Sequence, residues 1–478
     1  MTTPRLVPIL PIAFLACILA SASGLAAGCG SSSAGAGSPP APDAATESSV
    51  ATGDDAGGAA DVVEAGTAAY PAFVPTDIPQ VANLKGGPVL SLPKVYPIYF
   101  ASDDPTFTAQ ITDFLSKVGA TTYWNTVASE YGVGSLVAEA PIQLTAADNP
   151  PAVYYDAQIR TWLTEKLSGD DAGATGFPTP DENTLFAFFF PSGVTITEQP
   201  LPSVDAGTED AGVDPSEASC TAFGGYHNTF RLANGVSVSY AVVPRCSSFD
   251  GFTGVDAVTA AASHELLEGV TDPYITAFSS TDVAHRYWAT LVGGGGEIGD
   301  MCAQTLSSFT HFPELPAYLV QRCWSNKTAL TGGDPCVPIP TGDVYFNSIP
   351  VMPDVLEVVS GRGDGGPGPD GGPTAFATKG VKIAVGASKT IELDLFSNVP
   401  TSGDWTVTAY DLDTLAQQTP QLLQFSFDKS HGHNGDKLQM TIKVLAAGPH
   451  NTEPFIISSM IGNTETSPQN IWAGIVGN

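Results

Sequence analysis

The spacing of apolar residues changes near residue 340, and this change constrains the fold more than any other feature of the sequence. Before that point, apolar residues at helical spacing alternate with short apolar runs, which is typical of an α+β domain. Beyond Val344 the apolar segments are short, β-rich and bounded by turns. With 478 residues the chain is too long for one core. We therefore expect an α+β domain over residues 76–340 and an all-β, immunoglobulin-like sandwich over residues 341–478, with few contacts between them.

Candidate strands and helices can be placed in both parts of the chain. In the first part Val95–Phe100, Leu185–Phe190 and Val236–Val243 are candidate strands, and Pro97 favours an edge position for the first of them. Asp104-Pro105 predicts a helix start, because Asp accepts hydrogen bonds from the first turn and Pro has no N–H to leave unpaired there. The apolar residues that follow at helical spacing are Phe107, Ile111, Phe114, Leu115 and Val118. The candidate strands of the sandwich are Val381–Val385, Thr390–Phe396, Trp405–Tyr410, Leu422–Phe427, Leu438–Val444 and Phe455–Ser459.

The N-terminal segment has the features of an export signal. Arg5 provides a positive start, an apolar stretch follows, and Leu25-Ala-Ala-Gly-Cys29 resembles the lipobox at which bacterial lipoproteins are cleaved and acylated. We expect a lipoprotein signal peptide over residues 1–28 and lipidation of Cys29; an ordinary signal peptide with an incidental Cys29 is the alternative. Residues 29–75 are rich in Ser, Gly, Ala, Pro and acidic residues, a composition that predicts a disordered tether. The expected location is the cell envelope, as an outer-membrane lipoprotein or a secreted protein.

The charge balance of the chain restricts its partners. Acidic residues outnumber basic residues by 49 to 18, which gives a net charge of −31. Such a surface repels the phosphates of nucleic acids and anionic lipid headgroups. We therefore expect no nucleic-acid partner, and contact with a membrane only through the lipid anchor.

Five cysteines follow the candidate anchor, and export would expose them to an oxidising compartment. Cys220 and Cys246 flank candidate neighbouring strands, so we expect them to form one disulfide. Cys302 should pair with Cys323 or Cys336, and the sequence does not distinguish these two. Because five is an odd number, one thiol should stay free.

A helix is predicted around residues 256–270, with Asp256 as its cap and Gly269 and Pro273 as its end. This segment is apolar apart from a few polar side chains in its middle. Polar groups in such a segment are costly unless they bind something. The alternative is a helix with an exposed acidic face, in which the polar residues have no chemical role.

The polar residues of this helix form the sequence His264-Glu265-x-x-Glu268. His264 and Glu268 are four residues apart, so they share one helix face and are placed to ligate one metal ion. Glu265 would lie beside the open coordination position, where it would act as a general base. The pattern therefore predicts a metal site with hydrolytic chemistry.

A third ligand must come from another segment, and the best candidates lie in a Gly-rich stretch. Glu297 is the first candidate, and Asp300 is either the alternative ligand or a partner that orients His264. Asp272, one turn beyond Glu268, is a second candidate for that orienting role. We expect zinc, although a carboxylate-rich set of ligands also suits Ca²⁺ or Mn²⁺.

Several motifs, in order along the chain, resemble the exordium-like (phosphate-induced) protein family in the form of its bacterial members. They are Gly86–Leu90, Lys94–Phe100, Tyr123-Trp124-Asn125, Gly225–Asn228, Tyr240–Pro244, Ser263–Pro273 and Glu297–Cys302. The resemblance covers residues 84–338 and implies a zincin-like metallopeptidase domain. It also implies that His227 borders the cleft, where it would bind the metal or stabilise an oxyanion; a purely structural role is the alternative. The sequence departs from well-characterised zinc proteases in offering Glu268 where a second His is usual.

These features lead to a functional expectation with two alternatives. The leading expectation is a secreted, lipid-anchored metallohydrolase, a zinc-dependent peptidase that acts on a protein or peptide substrate. The first alternative is a non-catalytic binding protein of the cell envelope on a degenerate zincin fold. The second makes the β-sandwich the working part and the rest a spacer. Glu265 favours the enzyme, because a purely structural metal site has no use for this residue.

Overall fold

The structure is a computed structural model, and it describes residues 69–478 except 76, 84–86, 169–175, 200–212, 275–282, 293–295, 341–343, 361–373, 413–419, 449–450 and 465–466. The expected signal peptide, Cys29 and most of the expected tether lie outside the described residues. The helices within the described residues are α1 Pro105–Val118, α2 Thr122–Ala128, α3 Asp156–Ser168, α4 Gly254–Thr271, α5 Arg286–Val292, α6 Asp300–Ala303 and α7 Asn326–Leu330. Together with the strands described below they form a mixed α+β structure in which sheets predominate.

The first part of the chain is built around a six-stranded sheet. Its strands, and the short ones around it, are β1 Lys94–Tyr99, β2 Val137–Ala138, β3 Ile142–Gln143, β4 Val153–Tyr155, β5 Thr184–Phe189, β6 Thr195–Thr197, β7 Tyr226–Arg231, β8 Ser237–Val243, β9 Ser248–Phe249, β10 Phe252–Thr253, β11 Phe309–His311 and β12 Leu319–Gln321. The sheet order is β2-β1-β5-β8-β7, and β3 also pairs with β1. All pairs are parallel except β7 with β8, so β7 is an antiparallel edge strand.

The two faces of the sheet cover two separate cores. β5 is buried along its whole length, as its continuous apolar run predicts. Because successive side chains of a strand point to opposite faces, Leu185 and Phe189 enter the core shared with α1 and α4, whereas Phe186 enters the core shared with α3. Helix α4 therefore packs on one face of the sheet, against β8 and the edge strand β7.

Strand β1 lies inside the sheet, so the edge position expected from Pro97 is wrong. β5 pairs with β1 along its whole length on one side. On the other side β2 pairs with Lys94 and Val95, and β3 pairs with Ile98 and Tyr99. Pro97 falls between these two partners, which makes the absence of an N–H at this position tolerable inside the sheet.

The predicted helix α1 is confirmed, whereas the expected cap of α4 is wrong. Asp104 accepts a hydrogen bond from Thr106 N, and the five predicted apolar residues are the buried ones of α1. Helix α4 begins earlier than expected, with Thr253 as its N-cap, and Gly269 is helical. Asp256 lies in the first turn, where its carboxylate accepts from Leu319 N and contacts His311. A long-range partner therefore replaces the local cap.

Two sheets of the second part form a sandwich. Its strands are β13 Phe346–Pro350, β14 Asp354–Ser360, β15 Thr374–Lys382, β16 Ser388–Ser397, β17 Trp405–Asp411, β18 Leu423–Phe427, β19 His431–Gly432, β20 Lys437–Val444, β21 Thr452–Met460 and β22 Gln469–Gly477. One sheet has the order β13-β16-β20-β18 and the other β14-β15-β22-β21-β17-β19. Burial alternates along β20, and Leu393, Trp405 and Phe455 are fully buried in the core.

The two parts meet over a packed joint, so the expectation of few contacts between them is wrong. The ring of Trp288 in α5 lies 5.1 Å from that of Trp472 in β22 and 5.5 Å from that of Trp324. Thr378 of β15 donates to Ala284 O at 3.1 Å. One continuous core includes residues from both sides of residue 340. The domain boundary at residue 340 stays a prediction.

Two disulfides are present in the described part of the chain. Cys220 is bonded to Cys246, as expected, with a Cα–Cα distance of 5.2 Å. Cys302 is bonded to Cys336, with a Cα–Cα distance of 5.3 Å, and Cys323 is a buried free thiol. Disulfides are typical of proteins that reach an oxidising compartment. Among the described residues, no helix is both long and apolar enough to span a membrane.

Candidate metal centre

Helix α4 carries His264, Glu265 and Glu268 into the interior beside the edge strand β7. Glu265 is 5% exposed and Glu268 is 2% exposed, so neither belongs to an exposed acidic face. The helical spacing brings His264 Nε2 to 2.9 Å from Glu268 Oε2. The side chain of His264 keeps a small exposed fraction, and the group is therefore reached from solvent on that side.

The two candidates for the third ligand lie on different sides of this pair. Asp300, the first residue of α6, places Oδ1 3.5 Å from His264 Nε2. Glu297 instead places Oε1 4.0 Å from His227 Nε2. The donor atoms of His264, Glu268 and Asp300 lie within 4.8 Å of one another, close enough to hold one metal ion. Asp300 is thus the candidate that shares a point with His264 and Glu268.

His227, the second residue of β7, belongs to the same group. Its Nδ1 lies 3.6 Å from Glu265 Oε2 and 3.8 Å from Glu268 Oε2. His227, Glu265 and Glu268 form a second set of donors within 4.8 Å of one another. Glu265 also lies 4.0 Å from His264 Nε2 through its other oxygen, Oε1. Glu265 therefore stands between the two imidazoles.

Gln321 contacts the His264 ring in the orienting position that was expected for Asp300 or Asp272. Gln321 Oε1 lies 2.9 Å from His264 Nδ1, and its amide Nε2 donates to Gly299 O at 2.7 Å, which fixes the direction of the amide. Gln321 Oε1 therefore accepts from His264 Nδ1, and Nε2 is left to face Glu268 and Asp300, where a bound metal would take the place of its proton. Nothing in the local sequence marks Gln321, because it reaches His264 only through the packing of β12 against α4.

Backbone groups fix Glu268. Its Oε1 accepts hydrogen bonds from Gly299 N at 2.8 Å and from Asp300 N at 3.0 Å. A Cβ on Gly299 would lie 2.8 Å from Glu268 Oε1 and 2.8 Å from His264 Nδ1, so only glycine allows this approach. Gly225 allows an equally close approach to Glu265, because a Cβ on Gly225 would lie 2.7 Å from Glu265 Cγ. The backbone thus approaches these side chains closely at both glycines.

The group contains more carboxylates than imidazoles, and burial makes that imbalance costly. Burial raises the pKa of Glu265, Glu297 and Asp300. Burial alone would also raise the pKa of Glu268, but the adjacent His264 lowers it to about 2. Burial acts to lower the pKa of His227, whereas the surrounding Glu297, Glu265 and Glu268 raise it to about 10. Protons or a cation must offset the excess negative charge.

The residues fit a divalent cation. Imidazole nitrogens suit zinc, and carboxylate oxygens suit zinc and manganese, so the donor set does not name the metal. His227 Nε2 is buried and has no hydrogen-bond partner among the described residues. The side chains of Glu297 and Asp300 stay 26% and 35% exposed, so the group opens to solvent on their side. An open side is what a site that also binds substrate requires.

Comparison with known proteins adds no family. No protein-family model and no curated protein matches the chain. Solved structures that match include domains 4 and 5 of the S-layer protein SbsC, at 14% identity over 27% of this chain and 53% of that chain, with a TM-score of 0.15. Domains 1–6 of surface layer protein SbsC match at 16% identity over 22% of this chain and 14% of that chain, again with a TM-score of 0.15. The matches span about half or less of those chains, and TM-scores this low do not establish a common fold.

Proposed function

We propose that the chain is an exported, lipid-anchored metal-dependent hydrolase of the cell envelope, which cleaves peptide bonds with a zincin-like domain related to the exordium-like family. The observation that carries the proposal is the convergence of His264, Glu268 and Asp300 on one point beside the buried Glu265. These side chains come from two elements, and burying them without a ligand would leave several charges close together.

Hydrolysis is favoured over a purely structural metal site because of Glu265. A divalent ion held by the donors would polarise a substrate carbonyl and make water more acidic. Glu265 Oε1 lies 4.0 Å from His264 Nε2, near enough to the shared point to accept the proton of an attacking water molecule. Burial raises the pKa of Glu265, which makes this carboxylate a stronger base than an exposed one. The same group would then return the proton to the leaving amine.

The proposed location in the cell envelope has two supports. The disulfides Cys220–Cys246 and Cys302–Cys336 are typical of exported proteins. The lipobox-like sequence before Cys29 supplies the proposed anchor. Metabolic labelling with a radioactive fatty acid should label the chain and fail to label the Cys29→Ala variant. Equal labelling of both would refute the anchor.

The enzymatic proposal is tested by metal content and peptidase activity of the purified chain. The wild-type protein should contain a divalent metal and cleave a quenched fluorescent peptide library, and chelation should stop cleavage. Glu265→Gln should keep at least one equivalent of metal, because His264, Glu268 and Asp300 are unchanged, but lose about 100-fold or more of the activity, because the base is removed. His264→Ala should lose metal and activity together.

His431→Ala serves as the control, because His431 is exposed in the sandwich. It should keep both metal and activity. A wild-type protein without metal, or Glu265→Gln with full activity, would refute the hydrolase. A non-catalytic envelope binding protein would then be the better proposal.

A further inference from the structure

We infer that the centre holds two divalent metal ions, with Glu268 as the bridge and with His227 and Glu265 completing the second position. The inference rests on the proposed function and extends it from one ion to a pair. The two donor sets described above share only Glu268. Each set of three lies within 4.8 Å, whereas the five donors together do not form one such group. Ligands of one zinc ion lie about 2.0–2.2 Å from it, so a single ion would not reach all five.

The orientation of Glu268 suits a bridging ligand. Its Oε1 is occupied by two backbone N–H groups, which leaves Oε2 as the atom that faces both imidazoles. Oε2 lies 2.9 Å from His264 Nε2 and 3.8 Å from His227 Nδ1. These nitrogens belong to different elements, α4 and β7, and approach the same oxygen. One carboxylate oxygen between two imidazole nitrogens is placed to contact an ion on each side.

The two carboxylate oxygens of Glu265 face different metal positions, one beside His227 and one beside His264. Its Oε2 lies 3.6 Å from His227 Nδ1, inside the second set. Its Oε1 lies 4.0 Å from His264 Nε2, on the side of the first set. Glu265 can therefore bind the second ion through Oε2 and still accept a proton at Oε1. Its proposed role as a base is kept.

The charge balance favours two ions over one. Four carboxylates, from Glu265, Glu268, Glu297 and Asp300, surround the two imidazoles. One divalent ion would leave two negative charges among these groups, and two divalent ions would leave none. Unbalanced charge is destabilising where the protein excludes water, as it does around Glu265 and Glu268. A pair of ions removes that cost.

Both imidazoles have a matching partner on the side away from the donors. His264 faces the donors with Nε2 and Gln321 with Nδ1. His227 is 7% exposed and faces the donors with Nδ1. Its Nε2 has no hydrogen-bond partner among the described residues and lies 4.0 Å from Glu297 Oε1. This separation is longer than a hydrogen bond, and a small movement of the Glu297 side chain would let its carboxylate accept the remaining N–H of a metal-bound His227 and fix the ring. Glu297 is then a positioning residue for the second ion.

Metal stoichiometry of the full chain tests the inference. After dialysis against Zn²⁺ and removal of excess, the wild-type protein should contain two equivalents by elemental analysis, and His227→Ala should contain one. The control His431→Ala should contain two. Glu297→Gln should bind the second equivalent about 10- to 100-fold more weakly, since only the orienting carboxylate is lost. Loading with Mn²⁺ should give the electron paramagnetic resonance spectrum of an exchange-coupled pair, because the ions share a carboxylate oxygen.

The outcomes separate this inference from the proposed function. One equivalent in the wild-type protein, with an uncoupled Mn²⁺ spectrum, would overturn the pair and leave the hydrolase intact. No metal at all would overturn both. Two equivalents that His227→Ala leaves unchanged would overturn the second position as assigned. If His227→Ala does not fold, the wild-type stoichiometry and spectrum decide the question alone.

Discussion

At the scale of single residues, the candidate metal centre combines side chains of one helical turn with partners from distant parts of the chain. His264, Glu265 and Glu268 lie within one helical turn, so local spacing alone brings them together. Gln321 is 57 residues away from His264 and meets it only after β12 has packed against α4. The same reason explains why the sequence could not choose between Glu297 and Asp300. Distances across elements depend on tertiary packing, which no local pattern encodes.

Gln321 gives the first prediction. Gln321→Leu should lower metal affinity about 10- to 100-fold, because the ring of His264 loses the acceptor that fixes its tautomer and direction. Competition with a fluorescent chelator measures the change. Gln439→Leu, the same substitution on the exposed side of β20, should leave the affinity unaltered. An unchanged affinity in Gln321→Leu would show that His264 needs no orienting partner.

The buried charges predict how stability depends on pH. A raised pKa means that the folded chain holds more protons than the unfolded chain, so stability falls as pH rises. His227, whose pKa rises from 6.5 to about 10, loses its contribution across that interval. Glu268, with a pKa lowered from 4.5 to about 2, has the opposite sign, but only at acid pH. The chelated protein should therefore melt at a lower temperature at about pH 9 than at about pH 6.5.

Thermal unfolding with and without zinc checks this dependence. Zinc should flatten the decline, because the metal replaces the protons that the group otherwise retains. If the melting temperature falls equally with pH in the presence and absence of zinc, the titrating groups lie elsewhere in the chain. His227→Gln, measured with chelator, should show a shallower decline than the wild-type protein.

At the scale of elements, the helices and strands with strong local sequence signals were predicted correctly. The Asp-Pro start and the apolar spacing gave α1 and its buried face. Among the sandwich strands, Trp405–Tyr410 and Leu438–Val444 were placed correctly, because their burial is regular. The strands β13, β14, β19 and β22 were missed, and the expected strand Val381–Val385 is wrong because β15 runs over Thr374–Lys382. β13 ends in Pro350, and β22 contains two glycines, Gly474 and Gly477, which weaken the signal of a strand.

Helix α6 is a short element, and the disulfide Cys302–Cys336 holds it. Cys302 lies two residues after Asp300, so the bond restrains the segment that carries the third ligand. Replacing both cysteines by serine should lower the free energy of unfolding by about 3 kcal/mol and also weaken metal binding. Denaturant titration and chelator competition measure the two effects. Replacing Cys220 and Cys246 should cost similar stability with less effect on the metal, and equal effects on the metal would contradict a local role.

At the scale of the whole molecule, the two parts share one continuous core. Trp472 of the sandwich packs on Trp288, and Trp288 packs on Trp324. Asp77, from the segment before the first strand, contacts both His285 and Lys379, on the two sides of the joint. The change in apolar spacing near residue 340 predicts a change in the kind of structure, and the elements described beyond it are strands. It did not reveal the joint, because the contacts depend on single aromatic side chains.

Cooperative unfolding is the prediction at this scale. Trp472→Ala should lower the free energy of unfolding by about 3–5 kcal/mol, because it removes a large buried ring from the joint. Pulse proteolysis across a urea series should show both parts of the wild-type chain becoming cleavable in one transition. Two separate transitions in the wild-type chain would contradict the shared core.

The tryptophan joint also has an optical consequence. Three of the six tryptophans of the chain lie in it with ring centres 5.1 Å and 5.5 Å apart, close enough for their excited states to couple. The backbone N–H of Trp324 donates to Ile298 O, in the segment between Glu297 and Asp300. Any shift of that segment therefore moves an indole in the stack. The intrinsic fluorescence of the protein should thus report events at the ligands without an added dye.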